Sequence, residues 1–124
     1  VFGLVNELGI EDVRTASWVK PHGVSGKTRG THNAWEPVLY KPARRCQPGR
    51  RDWILTPNAR KGGSSLPGRK PRKFCTWLFE LLGMAAGDEL VDKFPGSEMV
   101  TRCWRAANGS LPAPGDVVDS VPIA

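Results

Sequence analysis

The run Leu90-Val91-Asp92-Lys93-Phe94-Pro95-Gly96-Ser97 holds the residue types with which a chain cradles an adenosine-type cofactor. An aspartate closing a short strand accepts hydrogen bonds from a ligand amine, a glycine in the next turn lets backbone approach the ligand, and the start of the following helix offers free amides. The same types also serve plain architecture, with Asp92 as a turn or capping carboxylate and Phe94 as a core aromatic. A second candidate, Gly23 to Thr28 (GVSGKT), has the Gly-Lys-Thr of a phosphate loop after a strand. Its spacing fails, because Pro21 stands where the first glycine is needed and no helix-forming run follows Thr28. His22 and His32 are ten apart in a glycine-rich loop without a carboxylate or cysteine at ligand spacing, so no metal site is assigned. Cys46, Cys75 and Cys103 are odd in number and never paired as CxxC, which indicates neither a disulfide framework nor a zinc ribbon. Cys75 and Cys103 read as reduced core fillers.

The elements that position the 90–97 run follow from periodicity. Phe74, Trp77, Leu78, Leu81 and Leu82 recur at helical spacing, predicting a helix over Arg72 to Leu82, with Pro71 at its start and Gly83 at its end. After a Gly87-Asp88 turn, Glu89 to Phe94 reads as a short strand and Pro95-Gly96-Ser97 as a tight turn. A second helix then runs from Glu98 to about Ala107, with Val100, Cys103, Trp104 and Ala107 inward. Upstream, Val1 to Leu8 reads as a helix end closed by Gly9, and Arg14 to Val19 as a strand stopped at Lys20-Pro21. Ala34 to Tyr40 reads as a second strand whose Pro37 asks for an edge or a bulge. Lys41 to Arg69 has little periodicity and is expected to be irregular. The tail 108–124, with three prolines and two aspartates, is expected to be poorly ordered.

Charge is split along the chain. Arg14 to Lys73 holds 15 lysines and arginines against only Glu36 and Asp52, while the remainder holds 3 against 10 acidic residues. A basic block with Trp18, Trp35 and Trp53 interleaved suits a surface facing nucleic acid, since cations neutralise phosphates and aromatic rings stack on bases; a solvated basic loop has the same composition. No apolar stretch approaches the roughly 20 residues of a membrane span, and no basic-then-apolar leader opens the sequence. The expectation is a soluble, cytoplasmic protein without membrane contact. At 124 residues one domain is expected over 1–107, with a basic, loop-rich part at 20–69 and a cofactor-motif half at 70–107.

Residues 68–104, GRKPRKFCTWLFELLGMAAGDELVDKFPGSEMVTRCW, resemble the joined motifs X and I of S-adenosylmethionine-dependent DNA amino-methyltransferases, which methylate the exocyclic amine of adenine or cytosine. ASWVKP and AWEPVLY resemble the strands preceding motif X in phage and actinobacterial relatives, so the likeness covers about Arg14 to Arg105. It implies an α/β fold, a partial Rossmann-like methyltransferase sheet with long irregular basic loops, S-adenosyl-L-methionine as cofactor and DNA as partner. Carried over by position, Lys70 and Pro71 match motif X, and Asp92, Phe94, Pro95, Gly96 and Ser97 match motif I. The resemblance implies that Asp92 approaches the cofactor's amino group, Phe94 walls its pocket and Gly96-Ser97 allow close backbone contact.

Departures from the family pattern bear on activity. Glu98 stands where the family has its second motif I glycine, and Lys93 where it has proline or a small residue. The Asp/Asn-Pro-Pro-aromatic tetrapeptide that activates the target amine is absent, so no catalytic residue is assigned. No acidic residue suited to ribose hydroxyls ends a strand after Trp104. These features, with a first residue Val1 inside running sequence, lead us to expect a methyltransferase fragment lacking its N-terminal catalytic half. Such a piece would expose a strand edge and apolar helix faces, and would pack loosely, self-associate or pair with the missing half. The alternative is a nonenzymatic, basic nucleic-acid-binding relic of the same fold.

Overall fold

The computed structural model describes residues 2–21, 32–46, 48–58 and 69–110. In β1 (Arg14–Val19) alternate side chains go to opposite faces, so Ala16 and Trp18 turn inward to almost complete burial while Ser17 and Val19 share the outer face. β2 (Trp35–Tyr40) lies antiparallel to β1, placing Glu36 opposite Trp18 and Pro37 opposite Ser17. The Ser17 amide donates the other way, to the Asp52 carbonyl at 2.8 Å. Pro37 therefore sits at a ladder position whose backbone faces the open edge, where a missing N–H costs no hydrogen bond, as expected of a strand proline.

β3 (Trp53–Leu55) falls inside the segment expected to be irregular. Three residues are too few for a periodic signal, and long-range bonds hold them. The strand runs parallel to β1 with Ile54 opposite Trp18, the Thr56 amide donates to the Val19 carbonyl at 3.0 Å, and the Trp18 indole N–H donates to the Thr56 carbonyl at 2.8 Å. Strand order is β2-β1-β3, a three-stranded, open, mixed sheet.

Helix α2 (Arg72–Leu82) has the predicted bounds. It stops at Gly83, whose φ of 66° is the left-handed conformation that releases the chain: the Gly83 amide donates to the Glu80 carbonyl and the Met84 amide to that of Phe79. Phe74 and Trp77 face the sheet, with the Phe74 ring 4.7 Å from that of Trp18 and the Trp77 indole N–H donating to the Arg51 carbonyl. The single predicted stripe needs correction. Leu82 is only half-buried, whereas Cys75 and Phe79 are buried, because α3 (Met99–Ala107) covers a second side of α2. Phe79 and Trp104 meet there edge to face at 5.2 Å. On α3, Cys103 and Trp104 are buried as expected, and Val100 and Ala107 are half-buried.

Sheet, α2 and α3 thus form successive layers of a small mixed α/β fold. The third helix, α1 (Phe2–Glu7), precedes β1 and is followed by Gly9 at φ 63°, as the N-terminal expectation had it; its Leu4 and the following Leu8 are exposed. Of the expected loose tail, Asn108–Ser110 forms a short 3-10 turn and 111–124 lie outside the described residues.

The strand expected over Glu89 to Phe94 does not form. These residues are irregular, and no strand among the described residues pairs with them. A strand exists through its ladder partners, and all three strands belong to the other half of the chain. No helix among the described residues is long and apolar enough to cross a membrane.

Candidate functional site

A groove of about 550 Å³ opens where the approach to α2, the 90–97 loop and the start of α3 converge. Arg69 and Lys70, just before α2, line it together with Asp92, Lys93, Phe94, Pro95, Gly96 and Ser97. Leu78, Leu90, Val91, Met99 and Val100 supply apolar lining. Six of the seven residues singled out from sequence thus line one groove, although the strand meant to present them is a loop. Pro71 does not line it. As the N-cap of α2, its carbonyl accepts from the Cys75 amide at 3.2 Å.

Within the loop, Asp92 Oδ1 accepts the Phe94 amide at 3.1 Å, so the carboxylate shapes its own turn. The Glu98 amide closes the next turn on the Pro95 carbonyl at 2.7 Å, with Gly96 at φ 50°. A Cβ built on Gly96 would meet only the Phe94 carbonyl, at 3.9 Å, which leaves space above this backbone for a ligand. Phe94 is 93 % exposed, a ring on the groove's rim with nothing packed on it. Glu98 adopts φ 57° directly before α3, a left-handed conformation that favours glycine. Its side chain stands outside the groove, 4.0 Å from Arg102 one helical turn on.

Beneath Lys70 lies a cluster that the motifs did not indicate. Lys20, at the end of β1, is buried, and its ammonium bonds Glu36 on β2. Lys70 lies 3.6 Å from the other Glu36 oxygen. Burial pushes the Glu36 carboxyl up, but the Lys20 hydrogen bond and the nearby Lys70 charge outweigh it, holding the group below its ordinary 4.5. The available signal was a lysine directly following a strand pattern, where a buried cation demands a counter-ion. In the sequence Leu78, Met99 and Val100 carry only the signal of helix residues.

The interleaved tryptophans separate. Trp18 is core, at 1 % exposure, whereas Trp35 and Trp53 are about half exposed and share the outer sheet face through their pairings with Val19 and Ser17. Arg51 stacks over the Trp53 ring at 5.5 Å. The Gly26-Lys27-Thr28 half-motif and His22 lie outside the described residues; His32 is exposed. Among the described residues no cluster of three His, Cys, Asp or Glu could hold a metal. All three cysteines are free, Cys75 and Cys103 buried and Cys46 half-buried.

Comparison of the chain with protein-family models, with curated proteins and with solved structures finds no match.

Proposed function

We propose that this chain is the cofactor-binding part of an S-adenosylmethionine-dependent DNA amino-methyltransferase, without the catalytic tetrapeptide and therefore inactive alone. The supporting observation is the groove itself: Lys70 shares its lining with Asp92, Phe94, Pro95, Gly96 and Ser97 across more than 20 intervening residues, six of the seven positions the motif resemblance picks out. The groove also suits such a group chemically. Its volume lies in the range of small-molecule sites, its lining is mostly apolar, and it holds the cations Arg69, Lys70 and Lys93, which suit a carboxylate, together with Asp92, which suits an amine. When bound, the cofactor supplies an activated methyl group on sulfur; the residues named here hold and orient it. The Rossmann-like sheet of this reading would need the 89–94 loop to gain a strand neighbour from the missing catalytic half.

Calorimetric titration of the full chain with S-adenosylmethionine tests the proposal, alongside Asp92→Ala and Glu98→Gly. Binding that is lost in the first variant and kept in the second, whose altered side chain stands outside the groove, supports it. No heat from folded wild-type protein refutes the cofactor assignment.

A second reading, a basic nucleic-acid-binding relic, is favoured by Trp35, Trp53 and Arg51 on the outer sheet face. It calls for DNA binding that weakens steeply with salt and does not respond to the cofactor.

A further inference from the structure

Two ammonium groups approach the Trp18 ring, Lys20 Nζ at 4.3 Å from its centroid and Lys70 Nζ at 4.5 Å. Lys70 also lies 5.6 Å from the Phe74 ring. The rings attract the cations without neutralising them. Among the described residues Glu36 is the one carboxylate paired with either lysine. Of these three charged groups only Lys70 lines the groove, while the Lys20 side chain is 3 % exposed and reaches neither groove nor solvent.

The cluster therefore holds two cations against one anion. Because buried Lys20 occupies one Glu36 oxygen, Glu36 is shared and Lys70 is only partly spent on it. The surplus positive charge appears on the groove wall. Beside it, the Nε of Arg69, another lining residue, is buried without a hydrogen-bond partner among the described residues. A buried donor in that state calls for an acceptor from outside the described residues. Asp92 is the lone carboxylate of the lining, and one of its oxygens already accepts the Phe94 amide.

We infer that Lys20 and Glu36 are positioning residues that set the groove's charge from beneath it, so that the groove takes a ligand whose anionic group, a carboxylate or a phosphate, meets Lys70 and Arg69. The inference rests on the groove being a ligand site, as in the function proposed above, but not on the ligand being S-adenosylmethionine.

Charge counting gives a pattern that a purely structural pair would not produce. Lys20→Met keeps the aliphatic stem and removes the buried charge, leaving Glu36 wholly to Lys70, so anion affinity falls. Glu36→Gln frees Lys70, so affinity rises. The double variant Lys20→Met/Glu36→Gln restores a surplus of one cation and regains the wild-type affinity. If Glu36→Gln does not fold because Lys20 is left buried without a counter-ion, the double variant, which lacks that charge, carries the comparison.

Calorimetric titration of the full chain with two probes, S-adenosylmethionine for a carboxylate and inorganic pyrophosphate for a phosphate, tests the pattern. We expect Lys20→Met to lose about five- to tenfold in affinity, the scale of one charge at short range behind partial solvent, and the double variant to return to within about twofold of wild type. The pattern with S-adenosylmethionine alone assigns the site to a carboxylate and supports both proposals. With pyrophosphate alone, it upholds the charge-setting role and removes the cofactor assignment. Equal S-adenosylmethionine affinity in wild type, Lys20→Met and the double variant overturns the inference and leaves the cofactor assignment standing. Absence of binding to either probe by folded wild type overturns both. Failure of Lys20→Met to fold would make Lys20 a structural ion-pair partner and overturn the inference as well.

Discussion

Arg44 clasps Asp88 through two parallel hydrogen bonds, Nη1 to Oδ2 at 2.5 Å and Nη2 to Oδ1 at 3.0 Å, and the same Nη1 donates to the Gly83 carbonyl at 2.7 Å. Asp88 Oδ2 also accepts the Ala85 amide at 2.7 Å. One guanidinium thus ties the C-terminal end of α2 to the turn from which the 89–97 loop departs. Neighbouring bonds complete the cap: the Ala43 amide donates to the Leu82 carbonyl, and the Cys46 thiol to that of Leu81. Carbonyls left orphaned at a helix end are satisfied here by a basic loop that also complements the helix dipole.

The clasp predicts an acid-sensitive fold. The Arg44 hydrogen bond, and after it the Ala85 amide, holds the Asp88 carboxyl below its ordinary 3.8. A depressed carboxyl contributes stability that is fully present above the unfolded value and is lost as pH falls through the folded one. Asp88→Asn is therefore expected to melt below wild type near neutral pH. The gap should begin to close as pH falls below the ordinary 3.8 and vanish once it passes the lower folded value, where wild type loses the same interaction. Thermal melts of the two proteins across that range check it; a gap that does not change with pH would contradict the assignment.

Gly83 is where the clasp and the helix stop meet. A Cβ there would come within 2.8 Å of the Arg44 carbonyl oxygen, at a backbone φ that side chains rarely adopt. Gly83→Ala is expected to cost about 2–3 kcal/mol, combining left-handed strain with displacement of the capping loop. Gly87→Ala, also at positive φ but with open space around its Cβ, should cost only the strain, about 1–2 kcal/mol. Denaturant midpoints of both variants would show the difference.

The clearest sequence signals were local ones. Helix α2 was legible to the residue because an apolar period, a proline and a glycine agreed, and β1 and β2 because each is a six-residue run between breakers. What escaped was set at long range. β3 exists through bonds to Val19 and Trp18, more than 30 residues away, and Cys75 and Phe79 are buried by a helix that begins 20 residues after Phe79. The 89–94 run has strand-forming residues but no neighbour among the described strands, and composition cannot report a missing partner. Of the groove's lining, the turn at Pro95-Gly96 is legible because its chemistry is local, whereas Lys70 is reached only through the motif resemblance. The Lys20–Glu36 pairing was not, because it joins two strands by register.

The thiols should react in two classes. Burial, and after it the neighbouring Cys103, pushes the Cys75 thiol up to about 12, while Cys46 is raised by partial burial alone, against the pull of nearby arginines. A thiol reagent at mildly alkaline pH is expected to label Cys46 first, more slowly than a free cysteine, and to reach Cys75 and Cys103 only as the protein unfolds. Mass spectrometry of labelled peptides across a denaturant series checks the order; early labelling of Cys75 would mean that α2 and α3 are not packed as described.

Glu98 offers a prediction that separates backbone from ligand. Its φ of 57° is a conformation glycine enters freely, and its 4.0 Å contact with Arg102 is exposed and worth little. Replacing it with glycine relieves strain of about 1–2 kcal/mol and returns part of that gain through the larger entropy of the unfolded chain. Glu98→Gly is therefore expected to raise stability by about 0.5–1 kcal/mol without any ligand. Glu98→Ala, which removes the charge but keeps a Cβ in the strained position, should leave stability near wild type. Paired melts of the two variants distinguish the causes. If both stabilise equally, charge rather than backbone strain is the problem at this position. If only glycine does, this residue holds the turn beside the groove in a conformation its own side chain disfavours, and glycine is what the turn's geometry asks for.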